Sequence, residues 1–394
     1  MSNFDMIKNQ DKTYVANTYG RFDVAIKEGK GAVCKDFDGK EYVDFSSGIG
    51  VNSLGFCDEG WVNAVTEQLG TLQHISNLYY TKPCADVAEI LCNRTGMKKV
   101  FFSNSGAESN EGAIKCARKY SFNKYGEGRS KIVTLQNSFH GRTVTTLAAT
   151  GQDVFHNYFY PFTEGFVYTP ANDMEALEKA LTDDVCGLMM ELIQGEGGVM
   201  PLDAEFVKYA RKLCDERDII LIVDEVQTGV GRTGKLFAFQ NYDITPDVVS
   251  CAKGIGGGLP LGCVMFSEKT ENTLVAGDHA TTFGGNPAIT AGAKYILSRM
   301  DDAFLAEVKA KGDYIREKVL KMPFVEGVDG MGLMLGIRLA DGIKSAEIVK
   351  KGIENGALLL TAKAKVRLLP PLTITYKEID GGLVALEKAL KSFC

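Results

Sequence analysis

The stretch CGLMMELIQGEGGVMPLDAEFVKYARKLCDERDIILIVDE, at residues 186–225, decides the fold of this 394-residue chain. It begins with the apolar run 186–193 and ends with the apolar run 219–223, each of which has the length and composition of a β-strand buried on both faces. Between them, residues 204–217 place their apolar side chains on one face of a helix. A strand, a helix and a second strand in this order predict a parallel sheet covered by helices.

The same alternation extends in both directions, over about residues 98–268. Residues 99–102 and 131–135 are apolar runs of strand length, and residues 107–120 between them follow the periodicity of a helix. In an open sheet of parallel strands, binding and catalytic residues gather beyond the carboxyl ends of the strands. The residues that follow each predicted strand are therefore the first place to search for a site.

The two ends of the chain lack this alternation. No linker rich in proline, serine or glycine and no internal repeat divides the sequence, so the domains must share segments rather than follow one another. We expect a large α/β domain over residues 56–289, with a mostly parallel sheet between helices. The remaining residues, 1–55 and 290–394, are expected to form together a smaller α+β domain.

The composition is that of a folded, soluble protein. Hydrophobic residues make up 45% of the chain and charged residues 24%, which is enough to bury a large core. The 44 basic and 50 acidic side chains leave a net charge of −6, which opposes binding to nucleic acid or to an anionic membrane. No run approaches the roughly 18 apolar residues of a membrane span, and no apolar signal core opens the chain, so we expect a cytoplasmic protein.

The sequence carries no pattern typical of a metal site. Its ten cysteines are scattered without a Cys-x-x-Cys pair, and its four histidines are far apart in sequence. At this chain length we expect buried, reduced thiols rather than a disulfide framework. No metal ligand is therefore predicted.

Two carboxylates, Asp224 and Glu225, follow the strand 219–223 directly and so lie where a parallel strand reaches a binding crevice. One interpretation is a magnesium ligand of a P-loop nucleotide triphosphatase, because residues 229–235 match the first seven positions of G-x-x-x-x-G-K-[ST]. Position 236 is leucine, however, and the match does not open its own strand and helix. The other interpretation is a buried anion that keeps a heterocyclic nitrogen protonated, which requires an electrophilic cofactor and a lysine.

Lys253 is the candidate lysine. It lies in CAKGIGGGLPLG, at residues 251–262, between the apolar pair at 248–249 and four glycines. A crowded backbone with little solvent lowers the pKa of an amine and prepares it for imine chemistry. Taken alone, a lysine before a glycine-rich loop is at least as often structural or phosphate-binding, so its meaning depends on the residues around it.

Three further stretches supply the rest of a pocket. FSNSGAE at residues 102–108 leads from a strand into a helix N-terminus, whose free amides suit a phosphate. TTFGGNP at residues 281–287 adds hydroxyls on a tight loop, and FHGR at residues 139–142 adds an aromatic face and a cation. An ordinary N-cap and an ordinary turn would explain the first two stretches taken singly. Together with Asp224 and Lys253, the three stretches predict a pyridoxal phosphate pocket.

With these motifs the chain resembles the class III aminotransferases, from about Asn17 to its C-terminus. The stretches that carry the resemblance are, in chain order, NTYGRF, SNSGAES, SFHGRT, ATGQ, IQGEGGV, DEVQTGVGRTGK, AKGIGGGLPLG, TTFGGNP and VRLLPPL. The resemblance implies the type I pyridoxal phosphate-dependent transferase fold. It also implies a homodimer with both active sites at the subunit interface.

The resemblance assigns roles to the residues around the cofactor ring. Lys253 would bind pyridoxal phosphate covalently and, once substrate displaces it, carry the proton between substrate and cofactor. Asp224 would pair with the pyridinium nitrogen, and Gln227 would reach the phenolic oxygen. Val226 and Phe139 would enclose the ring. Lys253 and Asp224 are the predicted catalytic residues.

The resemblance also implies which residues bind the phosphate and the substrate. The implied phosphate cradle is Ser105, Gly106 and Ala107. Thr282 of a partner subunit would join it, and Glu225 completes the implied set of cofactor-binding residues. Thr281 would lie near the substrate, and Arg142 would bind the carboxylate at the far end of the substrate, in keeping with the bidentate fit of guanidinium to carboxylate.

Glu196 and Arg367 are implied to let one pocket serve two substrates. In the family, the glutamate of Q-G-E-G-G pairs with the arginine of R-L-L-P-P-L, and these are Glu196 and Arg367 here. The pair would stay closed for a substrate with no carboxylate beside its reacting amine. It would open when an α-carboxylate competes for Arg367.

The implied activity is a ping-pong transfer of the δ-amino group of N-acetylornithine to 2-oxoglutarate, which gives N-acetylglutamate 5-semialdehyde and glutamate in arginine biosynthesis. Succinylornithine, ornithine and 4-aminobutyrate remain alternative donors. His140 argues against ornithine, because the ornithine enzymes usually carry tryptophan after this phenylalanine. A P-loop ATPase is the alternative from a different class of protein.

Overall fold

A computed structural model describes residues 2–393 of the chain. Its strands are β1 (Ile26–Lys30), β2 (Val33–Asp36), β3 (Glu41–Asp44), β4 (Lys99–Ser103), β5 (Lys131–Leu135), β6 (Phe166–Thr169), β7 (Val185–Met190), β8 (Ile193–Gln194), β9 (Met200–Pro201), β10 (Ile220–Asp224), β11 (Val248–Cys251), β12 (Gly262–Phe266), β13 (Val325–Met331), β14 (Met334–Leu339), β15 (Ala357–Leu358), β16 (Leu360–Ala362) and β17 (Lys365–Leu368).

The helices alternate with the strands through the middle of the chain. They are α1 (Asn3–Tyr14), the short turn α2 (Ser47–Gly50), α3 (Glu59–Thr71), α4 (Lys82–Thr95), α5 (Gly106–Tyr125), α6 (Val144–Ala149), α7 (Met174–Ala180), α8 (Ala204–Glu216), α9 (Pro287–Arg299), α10 (Asp302–Val319), α11 (Ser345–Glu354) and α12 (Tyr376–Lys391). Short 3-10 helices occupy Asp153–Phe155, Ala238–Asn241 and Lys253–Ile255. Within the described range, no helix has both the length and the apolar character that a membrane crossing requires.

Seven strands form the central sheet, in the order β4-β12-β11-β10-β7-β5-β6. The pairs β10–β11, β10–β7, β7–β5 and β5–β6 are parallel, whereas β12 runs antiparallel to both of its neighbours. The expectation of a mostly parallel sheet between helices is confirmed. Because β10 is central and β7 lies beside it, the two strands that decided the prediction form the middle of the sheet.

The side chains of β10 alternate between two cores. Ile220 and Ile222 belong to a cluster with residues of α5, whereas Leu221 and Val223 belong to a cluster with residues of α8. Successive side chains of a strand point to opposite faces, so helices cover the sheet on both sides. The buried face of α8 consists of the five residues predicted from its periodicity: Phe206, Val207, Ala210, Leu213 and Cys214.

Three local differences separate the prediction from the structure. The run 186–193 is not one strand, because β7 ends at Met190 and the chain turns at Glu191, whose carboxylate accepts backbone N–H groups. The helix predicted over 107–120 continues to Tyr125, since Gly126 is the first residue able to end it with a positive φ of 77°. The strand β12 was not predicted, because it begins with Gly262 at the end of the glycine-rich stretch.

The two ends of the chain meet in a smaller sheet. Its strand order is β1-β2-β3-β15, and β15 pairs with β3 in parallel. A second small sheet, β13-β14-β17-β16, carries Arg367 on β17. These sheets therefore bring a residue from near the C-terminus to the site built by the central strands.

Candidate active site

A cavity of about 460 Å³ lies at the carboxyl ends of the parallel strands. Residues that follow β4, β5, β7 and β11, together with the last residue of β10, contribute to its wall. This is the position at which an open α/β sheet binds ligands. Nine of the residues singled out in the sequence line it: Ser105, Gly106, Ala107, Phe139, Arg142, Asp224, Val226, Gln227 and Lys253.

Asp224 is held rigidly at the end of β10. Its side chain is 3% exposed, and Oδ2 accepts hydrogen bonds from Nδ2 of Asn110 and from Nδ1 of His140, both over 2.8 Å. The backbone N–H of Val226 donates to Oδ1 over 3.0 Å. Because each carboxylate oxygen can accept more than one hydrogen bond, Asp224 can still accept one from a protonated ring nitrogen in the cavity.

Glu191 brings a second buried carboxyl group to the same wall. Its Oε1 accepts a hydrogen bond from the N–H of Phe139 over 2.8 Å, and its Oε2 accepts one from the N–H of Gly195 over 3.1 Å. Burial raises the pKa of Glu191 to about 7, and the nearby charges of His140 and Asp224 act in opposite directions. Glu191 thus fixes the loop that carries Phe139.

Glu225 does not reach the cavity, although it was expected to bind the cofactor. Its side chain is fully buried, and its carboxylate accepts hydrogen bonds from the N–H of Phe239 and from Oγ1 of Thr228. Burial raises its pKa to about 7. Adjacent residues at the end of a strand point to opposite faces, so Asp224 and Glu225 could not both face the cavity.

Lys253 lies two residues after the end of β11, at the start of a 3-10 helix, and lines the cavity. Its φ of 49° is in the left-handed region, which is uncommon for a residue with a side chain and is found at functional sites. Burial lowers the pKa of its amine, while the charge of Glu196 raises it and that of Arg367 lowers it. An amine with a lowered pKa is neutral, and therefore a better nucleophile, over a wider pH range.

The N-terminus of α5 presents backbone amides in the cavity wall. Ser105 caps the helix, with Oγ accepting from the N–H of Glu108 over 3.2 Å. The amides of Gly106 and Ala107 precede the first intrahelical hydrogen bond and so remain available to an anion. A Cβ on Gly106 would lie 2.7 Å from Cγ1 of Val226, so only glycine fits this close approach.

Arg142 lies at the edge of the cavity with an exposed side chain. Its guanidinium carbon is 4.1 Å from the ring centroid of Phe155 and 5.4 Å from that of Phe139. Among residues 2–393, no carboxylate forms an ion pair with Arg142 under a 4.0 Å limit. Its N–H donors are therefore free to bind an anionic group of a ligand.

Arg367 and Glu196 form an ion pair beside the cavity. Nη1 of Arg367 is 2.6 Å from Oε1 of Glu196, and it also donates to Oε1 of Gln227 over 3.2 Å. Burial alone would raise the pKa of Glu196, but the Arg367 guanidinium holds it below its usual value. Gln227 lines the cavity, so the ion pair is one side chain away from the space a ligand would occupy.

Thr281 and Thr282 lie on the loop before α9 and do not line the cavity of one chain. Oγ1 of Thr281 accepts a hydrogen bond from Nδ2 of Asn104, which does line it, over 3.0 Å. Thr282 is exposed to solvent. The structure therefore places Thr281 next to the cavity and leaves Thr282 on the surface.

Three polar residues that hold other residues of the site in place were not assigned a role from the sequence: Asn110, His140 and Glu191. Asn110 follows Gly106 by four residues on a helix, a spacing that places both on one face, and this signal was available. His140 lies within the FHGR stretch but has no metal partner or nucleophile nearby in sequence. Glu191 lay inside an apolar run, where nothing indicates that a strand ends before it.

The groups of the cavity fit pyridoxal phosphate. Gly106 and Ala107 offer amides at a point where a side chain would not fit, Asp224 offers an acceptor for a ring N–H, and Lys253 offers an amine of lowered pKa. Nε2 of His140 is buried there without a protein partner, so the wall has polar capacity left for a bound group. A phosphorylated, electrophilic heterocycle matches each of these groups.

The P-loop interpretation is wrong. Residues 229–235 form turns that lead toward a 3-10 helix; residues 229–233 are buried, and Arg232 is only 2% exposed. Nη1 of Arg232 donates to the carbonyl of Leu333 over 3.1 Å, and Gly231 and Gly234 have φ values of 86° and 84°. The glycines therefore serve tight turns, and this stretch presents no helix N-terminus to a phosphate.

Comparison with known proteins places these residues in one family. The family model described as aminotransferase class-III matches residues 14–390. The chain is 49% identical over 387 residues to acetylornithine aminotransferase from Haemophilus ducreyi, with 98% of each chain covered. Among solved structures, N-acetylornithine aminotransferase from Stenotrophomonas maltophilia is 34% identical, with a TM-score of 0.84 and 98% of each chain covered. An ornithine aminotransferase from Toxoplasma gondii, described with PLP at partial occupancy in its active site, is 31% identical, with a TM-score of 0.94. The match covers 99% of this chain and 94% of that one.

Proposed function

The chain belongs to the class III aminotransferases, and we propose that it transfers the δ-amino group of N-acetylornithine to 2-oxoglutarate with pyridoxal phosphate as its cofactor. The products are N-acetylglutamate 5-semialdehyde and glutamate, and the reaction belongs to arginine biosynthesis. We also propose that the protein acts in the cytoplasm, where 2-oxoglutarate and glutamate are both available. The observation that carries the proposal is a pair of arginines in different states: Arg142 lines the cavity and is unpaired, whereas Arg367 lies behind Gln227, beside the cavity, and is paired with Glu196.

Four groups of the chain would hold the cofactor and move the proton. When bound, pyridoxal phosphate draws electrons from the carbon that carries the amino group and so makes the hydrogen on that carbon acidic. Lys253 would attach the cofactor covalently and, once free, its amine would accept and return that proton, a role suited to an amine of lowered pKa. Asp224 would accept the ring N–H, a charge-assisted hydrogen bond of about 1.5–3 kcal/mol. The amides of Gly106 and Ala107 would bind the phosphate.

The two arginines explain how one cavity accepts two unlike substrates. N-Acetylornithine and 2-oxoglutarate both have a carboxylate far from the reacting carbon, and the unpaired guanidinium of Arg142 binds it. Glutamate and 2-oxoglutarate also have a carboxylate beside the reacting carbon, which displaces Glu196 from Arg367. With N-acetylornithine the ion pair stays closed, so no unpaired cation is left in a desolvated site.

We also propose that the active enzyme is a homodimer. Nδ2 of Asn77 donates to the carbonyls of Thr281 and Gly284 over 3.1 and 3.0 Å, which joins two surface loops. These loops expose the apolar side chains of Leu78, Tyr80 and Phe283. Exposed apolar groups clustered beside a binding cavity are typical of a subunit interface. A second copy packed there would bring its Thr282 to the phosphate.

The domain division predicted from the sequence remains a proposal. All strands of the central sheet lie between Lys99 and Phe266, which supports a large domain over residues 56–289. The pairing of β15 with β3 supports a small domain shared by residues 1–55 and 290–394. Limited proteolysis that yields a stable core within residues 56–289 would support these bounds.

A panel of amine donors with 2-oxoglutarate as the acceptor tests the proposed substrate. We expect kcat/KM to be highest for N-acetylornithine among N-acetylornithine, N-succinylornithine, ornithine and 4-aminobutyrate. Ornithine and 4-aminobutyrate lack the acyl group and differ from N-acetylornithine at the end opposite the reacting amine. They therefore distinguish recognition of that end from general reactivity toward amines. A kcat/KM for any of the other three above that for N-acetylornithine would contradict the assignment.

A further inference from the structure

The ATGQ stretch, residues 149–152, has no role in the chemistry described above, yet it contacts the loop that carries Phe139. Oγ1 of Thr150 accepts a hydrogen bond from the N–H of His140 over 2.9 Å. Nε2 of Gln152 donates to the carbonyl of Ser138 over 3.0 Å, and the buried side chain of Gln152 can do so without competition from bulk water. The ATGQ stretch is therefore hydrogen-bonded to Ser138 and His140, which follow β5.

Gly151 allows the ATGQ stretch to pack closely against the end of β5. Its N–H donates to Oγ of Ser138 over 3.0 Å, and its carbonyl accepts from the N–H of Asn137 over 2.7 Å. A Cβ at this position would lie 2.2 Å from the carbonyl oxygen of Leu135. Only glycine allows this approach, so the position of the next residues is set by the end of β5.

The residue placed by this arrangement is Phe155. Its N–H donates to the carbonyl of Gln152 over 3.0 Å, and it is the last residue of the 3-10 helix Asp153–Phe155. Its ring meets that of Phe139 edge to face, with centroids 5.9 Å apart and an angle of 76°. Phe155 and Phe139 thus form one aromatic surface, and the guanidinium of Arg142 lies against both rings.

The guanidinium of Arg142 lies over Phe155, at 4.1 Å, more closely than over Phe139, at 5.4 Å. A cation over an aromatic face is attracted by the ring, and this contact leaves the N–H donors of a guanidinium unused. Arg142 is otherwise exposed and has no ion-pair partner among the described residues. Without Phe155, the long side chain of Arg142 would lose its preferred orientation.

We propose that Phe155, held by the ATGQ stretch, is a positioning residue that orients Arg142 to bind the distal carboxylate of both substrates. This rests on the proposed function, in which Arg142 is the group that binds that carboxylate. Phe155 contributes by orienting the guanidinium before the ligand arrives, so its effect falls on binding and only through Arg142.

The test measures the binding of glutarate, an unreactive dicarboxylate of the same length as 2-oxoglutarate, to the cofactor-loaded protein by isothermal titration calorimetry. Phe155→Leu removes the aromatic face and keeps an apolar side chain, and it should weaken glutarate about 3- to 10-fold, the range of a partly exposed cation–π contact. Phe155→Tyr keeps the face and should bind within about 2-fold of wild type. Phe159→Leu, the same change at an exposed neighbour in the same segment, is the matched control and should have no effect.

The double variant distinguishes positioning from a general structural effect. In an Arg142→Ala background, Phe155→Leu should cause no further loss of glutarate binding, because its effect acts through Arg142. In steady state, Phe155→Leu should raise KM for 2-oxoglutarate with little change in kcat, and simple alkyl amines should be spared.

Each alternative result has a single interpretation. If Arg142→Ala weakens glutarate and Phe155→Leu does not, Phe155 has no positioning role, while the proposed role of Arg142 stands. If Phe155→Leu weakens glutarate equally with and without Arg142, the effect is structural and the inference is wrong. If Arg142→Ala binds glutarate as wild type does, the proposed role of Arg142 itself fails.

Discussion

Arg367 and Glu196 are in contact through both ends of their charged groups, with Nη1 2.6 Å from Oε1 and Nη2 3.4 Å from Oε2, while Arg367 is only 3% exposed. Removing one member of a buried ion pair leaves an uncompensated charge, which is strongly unfavourable. Any ligand that supplies a carboxylate at this point relieves that cost. We therefore expect the pair to be the part of the proposed site that responds differently to the two substrates.

Glu196→Ala should shift the preference of the enzyme toward α-amino acids. Glutamate can replace the missing charge beside Arg367, whereas N-acetylornithine cannot, so the N-acetylornithine half-reaction should slow by about 10-fold or more relative to that of glutamate. Single-turnover absorbance of the cofactor, recorded with each amine separately, gives the ratio directly. Equal slowing of both half-reactions would mean that Glu196 has a general structural role.

Lys253→Ala should abolish turnover while leaving the fold intact. The variant loses both the covalent attachment and a proton-transfer group, and the second alone is typically worth about 10²- to 10⁴-fold. Borohydride reduction of the wild-type protein, followed by peptide mapping, tests the attachment itself. A pyridoxyl label on a lysine other than Lys253 would refute the assignment, and circular dichroism of the variant serves as the control for folding.

His140→Leu should lower kcat/KM for both substrates about 10- to 100-fold, because the Asp224 carboxylate loses a hydrogen bond from Nδ1 that is worth about 1.5–3 kcal/mol. In the structure this bond is 2.8 Å long and fully buried. His140→Asn retains a donor and should recover part of the loss. Equal activity of the leucine and asparagine variants would show that the hydrogen bond does not matter for the reaction.

Coexpression of two inactive variants should restore activity if each site uses Thr282 from a second copy of the chain. Lys253→Ala and Thr282→Asp each damage every site of their own homodimer. In a hybrid dimer, one site would combine both defects and the other would be intact, so random mixing should restore about one quarter of wild-type activity. Activity no higher than that of the separate variants would place Thr282 outside the shared site.

Glu225→Gln should stabilise the protein increasingly as the pH rises. The pKa of the buried Glu225 is about 7 in the folded chain, above its ordinary value of 4.5, so its contribution to stability is present below pH 4.5 and is lost as the pH rises through 7. Between pH 5 and pH 8, the free energy of unfolding of the variant relative to wild type should rise by about 2–3 kcal/mol.

Urea unfolding at the two pH values measures this difference for Glu225→Gln. Glu205→Gln, an exposed change on α8, is the control and should show no such trend. A pH-independent difference between Glu225→Gln and wild type would mean that Glu225 is already ionised in the folded protein at pH 5.

The sequence alone was sufficient for features that depend on neighbours along the chain. The buried face of α8 and the position of β10 follow from the periodicity of apolar residues, because a helix or strand repeats its side-chain directions over a few residues. The end of β10 located Asp224, and the glycines after β11 singled out Lys253. The resemblance to a family then connected these stretches into one pocket.

The tertiary structure decided most of the contacts between side chains that are distant in sequence; the Glu196–Arg367 pair, which the resemblance implied, is the exception. Asn110 and His140, which hold Asp224, are 114 and 84 residues away from it in sequence, and Phe155 reaches Arg142 through contacts with the end of β5. The antiparallel direction of β12 likewise depends on its packing between β11 and β4. Local patterns specify the direction of a side chain within its own element, but its partners depend on how the elements pack, which is settled only when the whole core forms.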